Sequence, residues 1–161
     1  MKSLTPFVLA GTILFAMPVL AQDAASSSAD TNRDILIQKI KADKKLLVAS
    51  NMDLSDNEGK SFWPLYEAYQ KDLEQLNQRL GKTIGEYAEA FNKGPIPNDT
   101  AKKLLDEALA VEESDVKLKR TYADKIGKVL PAAKTARYIQ IENKIRAVLK
   151  AELAANIPLV Y

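Results

Sequence analysis

Apolar side chains recur at alternating intervals of four and three residues through the segment FWPLYEAYQKDLEQL, residues 62–76, and just beyond it. The series, here called the seam, is Phe62, Tyr66, Tyr69, Leu73, Leu76 and Leu80. This spacing places one narrow apolar stripe along an α-helix. Such a stripe needs a covering partner, which can be the same chain, a second copy or a client protein. The sequence therefore predicts a long helix that packs against other helices.

Local signals mark the two ends of the seam helix. Ser55 followed by Glu58 predicts a capping box, in which each side chain accepts a hydrogen bond from a backbone N–H at the helix start. Gly94 and the prolines after it predict an end near Lys93. Between these ends, Gly81 and Gly85 flank a one-residue shift of the seam. A kink, a short break or a close helix crossing is expected there.

Three more amphipathic patterns complete a predicted all-α, elongated four-helix antiparallel hairpin-like fold. The first helix covers about residues 31–50, and its lysine-rich face is expected to be solvated, with an anionic membrane surface as the alternative. The third runs from a cap near residues 98–100 to about residue 129. The fourth begins at Pro131, a residue suited to a first helical position. Asp115 interrupts the third helix's apolar face and is expected to face solvent or pair with a lysine.

The N-terminal segment MKSLTPFVLAGTILFAMPVLAQDA has the pattern of a secretory signal peptide. Cleavage is expected between Ala21 and Gln22, so residues 1–21 are removed, residues 22–32 form a polar flexible leader, and residues 33–161 form a single helical domain. An uncleaved anchor is the alternative, but two prolines and a glycine interrupt the short apolar run. No cysteine follows that run, which excludes a lipid anchor. The predicted location is the periplasm or the cell exterior.

Histidine and cysteine are both absent from the 161 residues. Disulfides, thiolate nucleophiles, histidine-based triads and soft-metal sites therefore lack their required atoms. A carboxylate-only site for a hard cation is the alternative, but no loop of closely spaced Asp and Asn with a glycine turn indicates one, and neither a metal nor a cofactor is expected. With 23 basic and 21 acidic residues, the net charge is +2, too small to favour nucleic acid as a partner. Glu112, Glu113 and Asp115 are interpreted as surface acidity, because paired catalytic carboxylates need a pocket. No enzymatic activity is predicted.

Two predicted helix starts resemble one another: LSDNE at residues 54–58 and LPAAK at residues 130–134. Both are similar to the Leu-Thr-x-x-Gln signature of the Spy/CpxP family of periplasmic stress proteins. Ser55 and Glu58 stand for the threonine and glutamine of the first copy, and Pro131 and Lys134 for those of the second. The resemblance implies an elongated all-helical protein, often an antiparallel homodimer, that acts as an ATP-independent chaperone or as an adaptor of an envelope stress sensor. Physically, the signature supplies a leucine that docks and a residue that caps.

Candidate partner-binding residues follow from the need of such a protein for adaptable apolar patches with a polar rim. Each also has a purely structural interpretation. Trp63 lies off the seam and can be exposed or packed under the first or fourth helix, and basic residues beside Leu118 can form a rim or a solvated face. The C-terminal apolar residues can fold onto a helix or be recognised by a partner. The predicted set is Trp63, Tyr66, Lys117, Arg120, Leu159 and Tyr161.

Two functions are therefore expected from the sequence. The first is a periplasmic ATP-independent chaperone or envelope-stress adaptor that binds unfolded or envelope proteins. The alternative is a structural or scaffolding helical protein of the cell envelope without chaperone activity. Protection of an unfolded client from aggregation separates the two.

Overall fold

Four helical segments make up the part of the chain that the computed structural model describes, residues 44–160. They are α1 (residues 44–52), α2 (Asp56–Asn92), α3 (Asn98–Ile126) and α4 (Ala132–Asn156). No strand occurs within residues 44–160, and the predicted all-α class is confirmed. The predicted signal peptide, the leader and the first part of the predicted first helix lie outside the described residues.

The start of α2 is built as its sequence predicts. Ser55 is the N-cap, and its Oγ accepts a hydrogen bond from the Glu58 N–H at 3.4 Å. The Glu58 carboxylate accepts one from the Ser55 N–H at 2.8 Å. These two bonds satisfy donors that the first turn of a helix leaves unpaired, so the capping box is confirmed.

The helix α2 then continues without interruption for 37 residues, through Pro64 and through both central glycines. The expected break at Gly81 and Gly85 is absent. A close crossing is absent too, because both glycines are exposed and a methyl group on either would meet open space. The one-residue shift in the seam is absorbed by an intact helix.

The helices α3 and α4 both begin after a proline rather than at a side-chain cap. Pro97 and Pro131 are the N-cap residues, with extended backbones and carbonyls that accept the first helical hydrogen bonds. The prediction of a side-chain cap at residues 98–100 is therefore wrong. The N-cap of α3 is Pro97, one residue earlier, and its side chain makes no capping hydrogen bond. The helix α3 ends at Ile126, before the predicted residue 129, because Gly127 opens a turn there.

Polar contacts show how the helices run. Tyr122 Oη donates to Asp72 Oδ2 at 2.7 Å, and nearer the loop Arg79 pairs with Glu107, so α2 and α3 form the predicted antiparallel hairpin. Arg146 on α4 reaches Asp115 on α3 at 2.8 Å, while Lys150, further along α4, reaches the earlier Glu112. The helix α4 is therefore antiparallel to α3 and parallel to α2.

An aromatic cluster at one end of the hairpin forms the core. Phe62, Tyr66, Tyr69, Tyr122 and Tyr138 are buried, and their rings meet mostly edge to face, with centroids 5.1–6.2 Å apart. Such aromatic pairs stabilise a core beyond the area that they bury. The buried aliphatic members of the cluster are Val48 and Met52 of α1, Leu73 of α2, Ile126 of α3 and Leu130. The first part of the seam is thus covered within its own chain.

Candidate partner-binding site

An open apolar groove lies where the second half of α2, the first half of α3 and the end of α4 meet. Its volume is about 510 Å³. We call it the distal groove. Its apolar lining consists of Leu80, Ile84 and Tyr87 from α2, Ala101, Leu104, Leu105 and Ala108 from α3, Leu153 and Ala154 from α4, and Ile157 and Val160 after α4.

The groove is open because small side chains occupy positions where the aromatic end of the molecule has large ones. Ala101, Ala108 and Ala154 each present only a methyl group to the space between the helices. In the aromatic cluster, tyrosine and phenylalanine rings fill the corresponding space between α2, α3 and α4. The apolar faces of the helices are therefore covered more completely at the aromatic end than at the groove.

Three of the groove's large apolar side chains are exposed to solvent. The exposed fractions are 58% for Leu105, 40% for Leu153 and 56% for Val160. Clustered apolar exposure of this kind marks interaction surfaces more often than single exposed residues do.

The polar groups at the groove already have partners. Thr83 Oγ1 donates to the Arg79 carbonyl at 3.1 Å, and Tyr87 Oη donates to the Pro158 carbonyl at 2.8 Å. Glu112 and Lys150 form an ion pair at 3.4 Å across one end. A site that selects one small molecule places several polar groups toward it. The distal groove instead offers an apolar surface, which suits a partner recognised by its apolar character.

Trp63 and Tyr66, the predicted binding residues on α2, belong to the aromatic end. Tyr66 is buried in the cluster and does not present its ring to solvent. Trp63 is half-buried, with its ring edge to face against Phe62 and Tyr66 and with Lys45 Nζ 5.3 Å from its centroid. This is the structural interpretation, in which Trp63 packs beside the first helix.

The other predicted residues are distributed differently. Lys117 and Arg120 are exposed on α3, while their neighbour Leu118 packs against the aromatic cluster. Leu159 is 87% exposed beside the groove-lining Val160. Tyr161 lies outside the described residues.

Sequence reasoning did not identify the groove as a site. The spacing of Leu104 and Ala108 on α3, and of Ile84 and Tyr87 on α2, is typical of helix faces that pack against one another. The available signal was the smallness of Ala101 and Ala108 opposite that face of α2. Alanine on an apolar face is compatible with close packing as well as with a groove, so spacing alone could not decide between them.

The two similar helix starts meet in space. Lys134 Nζ lies 2.7 Å from Glu58 Oε2 and also donates to the Asp53 carbonyl at 2.7 Å. The leucines of the two starts, Leu54 and Leu130, both pack in or against the aromatic cluster. Both starts thus have a docking leucine, but only the first has a side-chain cap.

Two buried carboxylates beside the aromatic cluster, those of Glu142 and Asp115, contact polar side chains of other helices. Glu142 is fully buried and accepts hydrogen bonds from Lys44 at 2.8 Å and from Gln70 at 2.9 Å. Asp115 is 4% exposed and pairs with Arg146 at 2.8 Å and Lys119 at 3.5 Å. The interpretation of Asp115 as surface acidity is wrong, whereas the alternative expectation, that it pairs with a lysine, is met by Lys119.

The phenols in this region are held neutral. Burial, reinforced by the Glu142 carboxylate, raises the pKa of Tyr138 and of Tyr69. Burial and the hydrogen bond to Asp72 raise the pKa of Tyr122 to about 12. Tyr122, which donates to Asp72, and Tyr138, which accepts from Gln70, act as hydrogen-bonding parts of the core.

Comparisons of the chain with protein-family models, with curated proteins and with solved structures find no match. Within residues 44–160, no helix combines the length and the hydropathy that crossing a bilayer requires. The same residues hold no cluster of acidic side chains suited to binding a metal ion.

Proposed function

We propose that this protein is an exported, ATP-independent chaperone or envelope-stress adaptor that holds apolar segments of unfolded or partner proteins in the distal groove. The observation that carries the proposal is the open apolar groove with its exposed leucine side chains, Leu105 and Leu153. Binding that depends on apolar contact and few directed hydrogen bonds tolerates many sequences and releases without nucleotide hydrolysis.

The meeting of the two helix starts supports the proposed kinship with the Spy/CpxP family. A repeated signature has a structural purpose when its two copies stabilise one another, and the Glu58–Lys134 ion pair links them. The kinship also leads us to propose that the protein is periplasmic and forms a homodimer.

An aggregation assay tests the proposed function. A chemically unfolded client is diluted into buffer with or without the purified chain from Gln22 onward, and light scattering is followed. We expect the wild-type chain to slow aggregation, and Leu105→Glu and Leu153→Glu to lose most of this protection, because a carboxylate in the groove opposes apolar binding.

The matched control is Val129→Glu, in the turn after α3. Val129 is 38% exposed, close to the 40% of Leu153, but it does not line the groove. Protection by this variant should equal that of the wild type. Clients that aggregate equally fast with and without the wild-type chain would refute the chaperone proposal and favour a scaffolding role.

A further inference from the structure

Residues 157–160, here called the strap, follow α4 and lie along the distal groove. Ile157 and Val160 line the groove, and the Pro158 carbonyl accepts the 2.8 Å hydrogen bond from Tyr87 Oη. Ile157 has an extended backbone, with φ −99° and ψ 115°, and Pro158 cannot continue the helix because it lacks an N–H. The strap thus meets the groove as a non-helical apolar segment, the form in which an unfolded client also arrives.

The strap is held to the groove by few contacts. Its hydrogen bond joins neutral groups, and Val160 and Leu159 remain more than half exposed. One such bond shifts an equilibrium by roughly two- to tenfold. None of the strap residues belongs to the aromatic cluster, so its release leaves the core intact.

We infer that the strap is an internal competitor for the distal groove, which an apolar client segment displaces when it binds. This inference rests on the proposed function. Client affinity is then reduced in proportion to the fraction of molecules in which the strap is released. The strap partly covers the apolar walls of the empty groove. A client segment must bind the groove more tightly than the strap does, so weakly apolar segments do not displace it.

Titration with the neutral apolar dye N-phenyl-1-naphthylamine tests the inference, with dye fluorescence as the readout on the chain from Gln22 onward. Tyr87→Phe removes only the hydroxyl that binds Pro158, and we expect roughly two- to tenfold tighter dye binding. Ile157→Ser weakens the strap's apolar contact and should also tighten binding. Leu105→Glu should abolish binding and so place the dye in the groove.

The control within the strap is Leu159→Ser, because that side chain is 87% exposed and does not line the groove. Its dye affinity should equal that of the wild type. If the strap were a fixed wall of the site, Ile157→Ser would weaken dye binding, and that result would overturn the inference.

A peptide experiment provides an independent test. The chain is stopped at Asn156, its helix content is checked by circular dichroism, and the synthetic peptide NIPLVY, residues 156–161, is added to the dye complex. The peptide should displace the dye, whereas a scrambled peptide of the same composition should do so less. Equal displacement by the two peptides would contradict a strap that fits this groove.

The outcomes for the strap and for the proposed function are separable. Tighter dye binding by Ile157→Ser without any protection of clients would support the strap and refute the chaperone. Protection of clients that is identical in wild type, Tyr87→Phe and the shortened chain would support the chaperone and refute the strap.

Discussion

At the scale of single residues, the Glu58 carboxylate has two roles at the start of α2. It accepts hydrogen bonds from Lys134 Nζ and from the Ser55 N–H, and these bonds lower the pKa of Glu58 from 4.5 to about 2. Both contacts favour the ionised form. The folded protein therefore holds this carboxylate ionised at pH values where the unfolded chain protonates it.

The consequence is a defined pH dependence of folding. Because the pKa of Glu58 is lower in the folded state, its contribution is fully present above about pH 4.5 and is lost as the pH falls toward 2. We expect Glu58→Gln to flatten the fall of the free energy of unfolding in this window, measured by urea denaturation at a series of pH values. Lys134→Met should flatten it partly. Glu113→Gln, on an exposed face of α3, should keep the wild-type slope.

Residue-scale prediction from the sequence succeeded where the signal was local and failed where it depended on a neighbouring helix. The Ser55–Glu58 capping box needs only four consecutive residues, and it is present. The burial of Asp115 depends on Arg146, which is 31 positions away and comes close only through the register of α3 and α4. A carboxylate on an apolar face does not reveal which distant cation pairs with it.

At the scale of elements, α2 carries two exposed glycines in a continuous helix, with open space around both. We expect Gly81→Ala and Gly85→Ala each to raise the free energy of unfolding by about 0.5–1 kcal/mol, because alanine reduces the freedom of the unfolded chain and favours helix. Urea denaturation measures the change.

Gly94 provides a control at which the same substitution is expected to have the opposite effect on the free energy of unfolding. Its φ of 116° lies in a region that L-residues rarely adopt. Gly94→Ala should therefore lower the free energy of unfolding although it too meets open space. Destabilisation by Gly81→Ala or Gly85→Ala would mean that the glycines have a role that the intact helix does not show.

The helices themselves were predictable because apolar periodicity, glycine and proline act over a few turns. The end of α2 falls within one residue of the prediction, and so does the start of α4. The distal groove was not predictable, because it depends on how far apart three helices lie where alanines face one another. That separation is a property of their packing.

At the scale of the whole molecule, apolar residues on the outside of α3 bear on assembly. Leu109 and Val116 are both at least half exposed and are spaced by seven residues, so they share one face of the helix. A second copy of the chain is the partner that the proposed family kinship implies for such a face.

Sedimentation tests this assembly. We expect a mass near twice that of the monomer at micromolar concentrations, and a shift toward the monomer for Val116→Glu, because a carboxylate in an apolar contact is costly to desolvate. Val129→Glu, outside α3, should leave the mass unchanged. A wild-type chain that sediments only as a monomer would refute the dimer.

The aromatic cluster and the distal groove use different turns of the same long helix, with Phe62, Tyr66, Tyr69 and Leu73 in one and Leu80, Ile84 and Tyr87 in the other. The lining of the groove can therefore vary at its exposed positions, Leu105 and Leu153, without touching the aromatic packing that secures the fold.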